Sequence, residues 1–278
     1  MFVYLILSII FSVMFAACYK IAAQRSCNLQ SVNTWNYAGS TTTILILIII
    51  KQSFPINQHV ILLGIVAGIS AYIATLTFFL HIKQGQLSTS WTIISLSIAF
   101  PVAASIFIWH ELPSMRQMFA MALIVTAFIL MGKRNNQHVQ TSRLSFIYLM
   151  IAFVLSGFGG IYFKALAQMD LESHIYIFMF TMYGVGFLMG LPAITYKRSD
   201  TCAIDMRIGG FMGFSSAISS IFFLIALESV PGIIVFPARS IGNLILTALF
   251  SILVWKDKLT THQMIGMVLS IIAIALII

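Results

Sequence analysis

Apolar residues fill this chain in long runs separated by short polar connections. A helix crosses the hydrocarbon core of a bilayer in about 20 apolar residues. On that scale the sequence predicts ten spans: Met1–Ala23, Ser31–Ile50, His59–Leu80, Ser88–Trp109, Met115–Met131, Leu144–Leu166, His174–Tyr196, Ile208–Leu227, Gly232–Trp255 and Thr261–Ile278. The connections carry most of the charge, as in Lys133-Arg134-Asn135-Asn136, Lys197-Arg198-Ser199-Asp200 and Lys256-Asp257-Lys258. The longest polar stretch, Lys133–Arg143, lies close to the midpoint of the chain. No segment reads as a soluble domain or a flexible linker.

Composition places these runs in a membrane. Of 278 residues, 60% are hydrophobic and only 8% charged, with a mean hydropathy of +1.02. A soluble domain carries about 25% charged residues, so this chain lacks the charge to cover a water-facing surface. The net charge of +8 does not point to nucleic acid. Its basic residues stand singly or in pairs between apolar runs and form no stripe with interleaved aromatics. Short basic loops between spans account for them. Cys18, Cys27 and Cys202 are odd in number and lack metal-ligand spacing, so neither a disulfide framework nor a zinc site follows. The start, Met1-Phe2-Val3-Tyr4, has no basic n-region, and its long apolar run reads as a retained first helix.

The two halves align. Under a shift of 146 residues the fourth and fifth spans fall on the ninth and tenth without a gap. Trp109 then meets Trp255, Glu111 meets Asp257, Ser114 meets Thr260, and Gln117-Met118 meets Gln263-Met264. Under a shift of 144 the earlier spans match, with Lys20 on Lys164 and Phe78-Phe79-Leu80 on Phe222-Phe223-Leu224. Five spans per half is an odd number, so the second half must enter the membrane inverted. The expected fold is therefore an all-α integral membrane protein of ten transmembrane helices in two inverted five-helix repeats. The repeats are residues 1–138 and 139–278. Secondary transporters use this architecture, with substrate bound near the midplane between the halves.

The segment from Pro101, PVAASIFIWHELPSMRQMFAMALIVTAFILM, and its partner, LTALFSILVWKDKLTTHQMIGMVLSIIAIALI, carry a family likeness. Each ends a helix on an acidic residue, turns, and re-enters with a small residue, Ala120 or Gly266. In this the chain resembles the drug/metabolite transporter superfamily, specifically its EamA-type ten-helix permeases. It departs at Thr247, where the second repeat often has proline, and at Lys258 beside the expected acid. The resemblance implies transport or export of small metabolites, no catalysis and no fixed cofactor.

Charges inside apolar spans are the first candidates for a site, because each costs at least about 2.5–3.5 kcal/mol at a helix centre. They are Lys20, Lys164 and Arg239. On an aqueous route each would attract a carboxylate or phosphate. Snorkelling from a helix end to the interface is the alternative for Lys20 and Lys164. Arg239 lies about seven residues, roughly 10 Å of rise, into its span. Asn243 and Thr247 follow it at i+4 and i+8 as one polar stripe. Its alternative is a structural bond to a neighbouring helix carbonyl. The fourth span offers Gln84, Ser88, Trp91 and Ser95, and the second offers Asn33, Asn36, Tyr37 and Thr41. The expected substrate-binding set is Arg239, Asn243, Lys20, Lys164, Trp91 and Ser95, with no catalytic residue, metal or cofactor. Trp109 and Trp255 read as interface anchors. Gly64 with Gly68, and Gly209 with Gly213, read as close helix packing. No acid lies in the middle of a span, which disfavours export of cationic compounds, and Glu228 is the acid nearest a span interior.

Orientation receives two opposed expectations. Odd-numbered loops hold ten Lys and Arg against two in even-numbered loops, which puts both termini outside. The resemblance implies both termini in the cytoplasm. The functional expectation is a monomeric secondary transporter of small polar or anionic metabolites such as amino acids, in a prokaryotic inner or plasma membrane. It works by alternating access between the repeats. Its partners are the substrate and the bilayer, with no nucleic acid. The other classes are a membrane enzyme acting on lipid and a lipid flippase-like protein. Only His110-Glu111 pairs a histidine with an acid, a thin basis for catalysis.

Overall fold

The computed structural model describes residues 2–52, 56–82, 94, 96–132, 143–169, 171–195, 203–255 and 261–277. Every regular element among them is helical. There are ten α-helices among the described residues: α1 (Phe2–Gln24), α2 (Leu29–Lys51), α3 (Gln58–Ile82), α4 (Ala99–Phe107), α5 (Met115–Gly132), α6 (Arg143–Ala167), α7 (Leu171–Thr195), α8 (Ala203–Ser229), α9 (Gly232–Trp255) and α10 (Thr261–Ile277). A 3-10 turn, Leu96–Ile98, leads into α4. Six of the helices are long and apolar enough to cross a membrane. Helix α2 is long, but Ser31, Asn33, Thr34, Asn36 and Ser40 make its first half polar, and all five are buried.

Polar residues fix the helix ends. Asn28 caps α2, its Oδ1 accepting from the Gln30 and Ser31 N–H groups, and Asn57 does the same for α3 with His59 and Val60. Ser114 and Gln117 form a reciprocal capping box on α5, at 2.8 and 3.3 Å. Ser114 and Gln117, two of the residues matched between the halves of the sequence, are thus cap residues of α5. Helix α8 begins five residues before the predicted Ile208. Asp205 and Arg207 lower the hydropathy there, but an acid in a first turn suits the positive end of the helix dipole, so the helix runs on.

The chain forms two compact units, each drawing on both halves of the sequence. The first comprises Met1–Ile73 and Tyr162–Glu228. Its main core joins Tyr37, Ile44 and Ile48 of α2 to Val60 and Ala67 of α3, Leu166 of α6, Ile175 to Tyr183 of α7, and Leu224 of α8. The contacts also give helix directions. Thr34 Oγ1 donates to the Gly190 carbonyl oxygen, and Tyr37 lies against Gly186, so α2 and α7 are antiparallel. Gly209 abuts Val32 and Trp35 while Gly213 abuts Asn36 and Ser40, so α2 and α8 are parallel. Gly64 meets Phe178 and Thr181, and Gly68 meets Met182 and Val185, so α3 and α7 are parallel. Helix α1 is antiparallel to α8, with Ser8 on Ser219 and Phe11 on Phe214. Thus α1, α3 and α7 run one way, and α2 and α8 the other.

The second unit comprises Ala74–Ile161 and Ser229–Ile278. Helices α5 and α10 pack together, and α9 touches α4, α5 and α10. Ala120 and Ile124 of α5, Ile241 of α9 and Ala273 of α10 form its core. Buried His81, in the last turn of α3, is joined to the first turn of α6 by Nδ1 at 2.8 Å from Ser145 Oγ and 2.9 Å from its carbonyl oxygen.

Candidate functional site

Helix α9 carries the most distinctive polar group of the second unit. Ile241 faces the α5 and α10 core, with Ile234, Leu244 and Ile245 packed beside it. Arg239 stands 200° from Ile241 around the helix, at 100° per residue. It is half-buried, and Asn243 follows one turn later on the same face. The Asn243 Oδ1 is buried and has no hydrogen-bond partner among the described residues. Leaving a buried amide oxygen without a donor costs about 1–3 kcal/mol, so this position favours a group that brings one. The stripe therefore combines a positive fork with an amide acceptor one turn away. Thr247 continues it, also half-buried.

The start of α9 has its backbone donors fully assigned. Gly232 and Ile233 N–H donate to Oε1 and Oε2 of Glu111 at 3.1 and 3.0 Å. Ile234 and Val235 N–H donate to the Pro231 carbonyl oxygen at 3.0 and 3.1 Å. Pro231 itself has no N–H, so the three donors that this helix start leaves open, those of Gly232, Ile233 and Ile234, are all used. Glycine is required at Gly232 by space: a Cβ there would collide with Ser105 Oγ and come within 3.0 Å of Phe236. Gly232→Ala should lower stability by about 1–3 kcal/mol, the usual cost of overpacking, and scanning fluorimetry in detergent checks it as a lower melting temperature.

Lys20 and Lys164 belong to the first unit. Lys164 is only 2% exposed, so it does not reach to the surface as snorkelling requires. Lys20 is half-buried near the end of α1. Its neighbour Tyr19 packs with Ile208 on a small core of Ala22, Val32 and Met212. Asp205 lies one turn before Ile208 and Gly209 and is 1% exposed. The ends of α1 and α8 therefore bring a lysine and a buried acid to one end of the unit. The hydropathy reading passed over Asp205 as part of a loop, whereas Glu228, which it singled out, is exposed. Its first-turn position in a helix start was the signal available.

The polar face of α2 is buried. Asn33, Asn36 and Tyr37 are within the protein, and Thr41 bonds its own Tyr37 carbonyl at 2.8 Å. Among the described residues, Asn36 Oδ1 has no hydrogen-bond partner, nor do the hydroxyls of Ser31 and Ser215. The Tyr183 hydroxyl lies 2.9 Å from Ser220 Oγ, linking α7 to α8. Trp91 and Ser95, with Gln84 and Ser88, lie outside the described residues. Of the expected substrate set, Arg239 and Asn243 come together on α9, and Lys20 and Lys164 occupy the first unit.

No protein-family model matches the chain, and no curated protein matches it. Solved structures do. One crystal structure aligns with a TM-score of 0.81, covering 99% of this chain and 94% of its own, at 12% identity. At that identity the likeness is one of fold alone.

Proposed function

We propose that the chain is a secondary transporter of small polar or anionic metabolites such as amino acids, of the EamA type within the drug/metabolite transporter superfamily. The observation that carries the reading is helix direction. The sequence repeat makes α7 the counterpart of α2, and α8 the counterpart of α3. The members of both pairs run in opposite directions, as the packing of Thr34 on Gly190, Gly64 on Phe178 and Gly209 on Val32 requires. An inverted repeat of five spans has this property, and a direct repeat lacks it. Two compact units that each combine both halves of the chain agree with it.

The polar groups give the reading its chemistry. Arg239 is charged at every accessible pH and presents a planar fork suited to a carboxylate or phosphate. Asn243 adds an acceptor one turn away. Lys164, buried in the first unit, is a second cation inside an apolar helix. The chain works by alternating access between the two repeats, as a multi-pass protein of a cell membrane.

Purified protein in proteoliposomes should take up labelled members of a panel of amino acids and organic acids faster than protein-free vesicles. Vesicles that accumulate none of them, while the protein scrambles or modifies labelled lipid, would favour a lipid-handling role and end the transport reading.

A further inference from the structure

Glu111 reaches α9 from the turn after α4. The Glu111 N–H donates to the Ser105 carbonyl oxygen at 3.0 Å, six residues back, which folds the connection back onto the last turns of α4. Reversing the chain there takes a left-handed residue, and His110, three residues past the end of α4, adopts it with φ 54°. Glycine is the usual choice, and a histidine there costs about 1–2 kcal/mol. The turn aims the Glu111 carboxylate at the first turn of α9, across 121 residues of chain. Ser105 of the same α4 turn fills the space beside Gly232, so the joint is tight as well as hydrogen-bonded.

One turn later the hydrogen-bond ladder of α9 lacks a rung. Pro237 lies inside the helix. It offers no N–H to the Ile233 carbonyl, and its ring crowds that carbonyl. The rung that would carry the helix register from Ile233 into the next turn is missing. Arg239 is the second residue beyond it.

We infer that Glu111 is a positioning residue for Arg239. The carboxylate holds the first turn of α9, and the break at Pro237 makes the next turn depend on that anchor. Both oxygens are needed, since each accepts one N–H at the positive end of the helix dipole. A glutamine keeps the shape but turns an NH2 toward a second donor, and an aspartate is one methylene short. The consequence for transport rests on the reading of Arg239 as a substrate contact, but the positioning itself does not.

The test is hydrogen–deuterium exchange, read by peptide mass spectrometry, on the full chain in lipid nanodiscs. Wild type, Glu111→Gln, Pro237→Ala and the double variant are compared. Glu111→Gln should speed exchange about tenfold at Ile233 and, to the same degree, through Ala238–Asn243, the factor expected when a bond to a charged acceptor is lost. In the double variant, with the missing rung restored, the faster exchange should be confined to the first turn. A rise that stops before Pro237 in the single variant, or one that spreads equally in both, overturns the proposal. In proteoliposomes, Glu111→Gln should raise KM for an anionic substrate about tenfold at little change in kcat per folded carrier, and Pro237→Ala should restore it. A purely structural cap would lower the folded yield and leave KM alone. If Arg239→Ala transports normally, the substrate reading fails, while the exchange data still decide the role of Glu111.

Discussion

Arg239→Ala should lower transport efficiency about a hundredfold while the protein remains folded and inserted, the effect of removing a charge-assisted bidentate contact. Arg239→Lys should recover part of the loss, because it restores the charge without the planar fork. The physical basis is the stripe on α9. A guanidinium held within an apolar helix, one turn from a buried amide oxygen that has no donor among the described residues, suits a ligand carrying both an anionic group and a donor. Initial rates of uptake into proteoliposomes, normalised to monodisperse protein, make the measurement. An alanine variant with wild-type rates would remove Arg239 from the substrate route.

The largest structural effect is expected at Gly213. A Cβ there would meet the Asn36 carbonyl oxygen and lie 2.5 Å from the Ser40 nitrogen and 2.8 Å from the Gly39 carbonyl carbon. These are backbone atoms, which no rotamer change can move. Gly213→Ala should cost about 3 kcal/mol, the upper end of the overpacking range, and Gly213→Leu should fail to accumulate as monodisperse protein. Gly210, three residues earlier, has nothing within 4 Å of its Cβ position. Gly210→Ala should therefore leave the melting temperature unchanged or raised. Equal losses at both positions would mean that the α2–α8 seam does not set stability.

Much of this arrangement was legible from spacing along single helices. Bilayer-length apolar runs located the helices, and the helical period put Arg239, Asn243 and Thr247 on one stripe. The spacing of Gly209 and Gly213 announced a close contact. What spacing cannot supply is the opposing element. Nothing in the sequence says that Asn36, Gly39 and Ser40 stand across from those glycines. Glu111 was visible as half of a repeat match with Asp257, yet its targets lie 121 and 122 residues away and its bonds go to backbone amides. Backbone partners leave no side-chain signature. Lys164 is similar, since its position near a helix end fits both snorkelling and burial. Only packing separates them.

The composition of the first unit has a consequence for how the protein is made. Helix α2 closes against α7 and α8, so its buried partners are encoded far downstream. At about 5–20 residues per second, the ribosome needs roughly 7–30 s after Lys51 to reach Thr195. During that interval Ser31, Asn33, Thr34, Asn36 and Ser40 have no α7 or α8 to cover them. A newly inserted α2 is the least apolar of the early helices, and its polar face then lies open to lipid or to the insertion machinery. The nascent first half should therefore stay beside the translocon, or under an insertase, until α8 has entered. Slowing translation between α2 and α7 would prolong that exposure, and degradation of the half-made chain should rise with it.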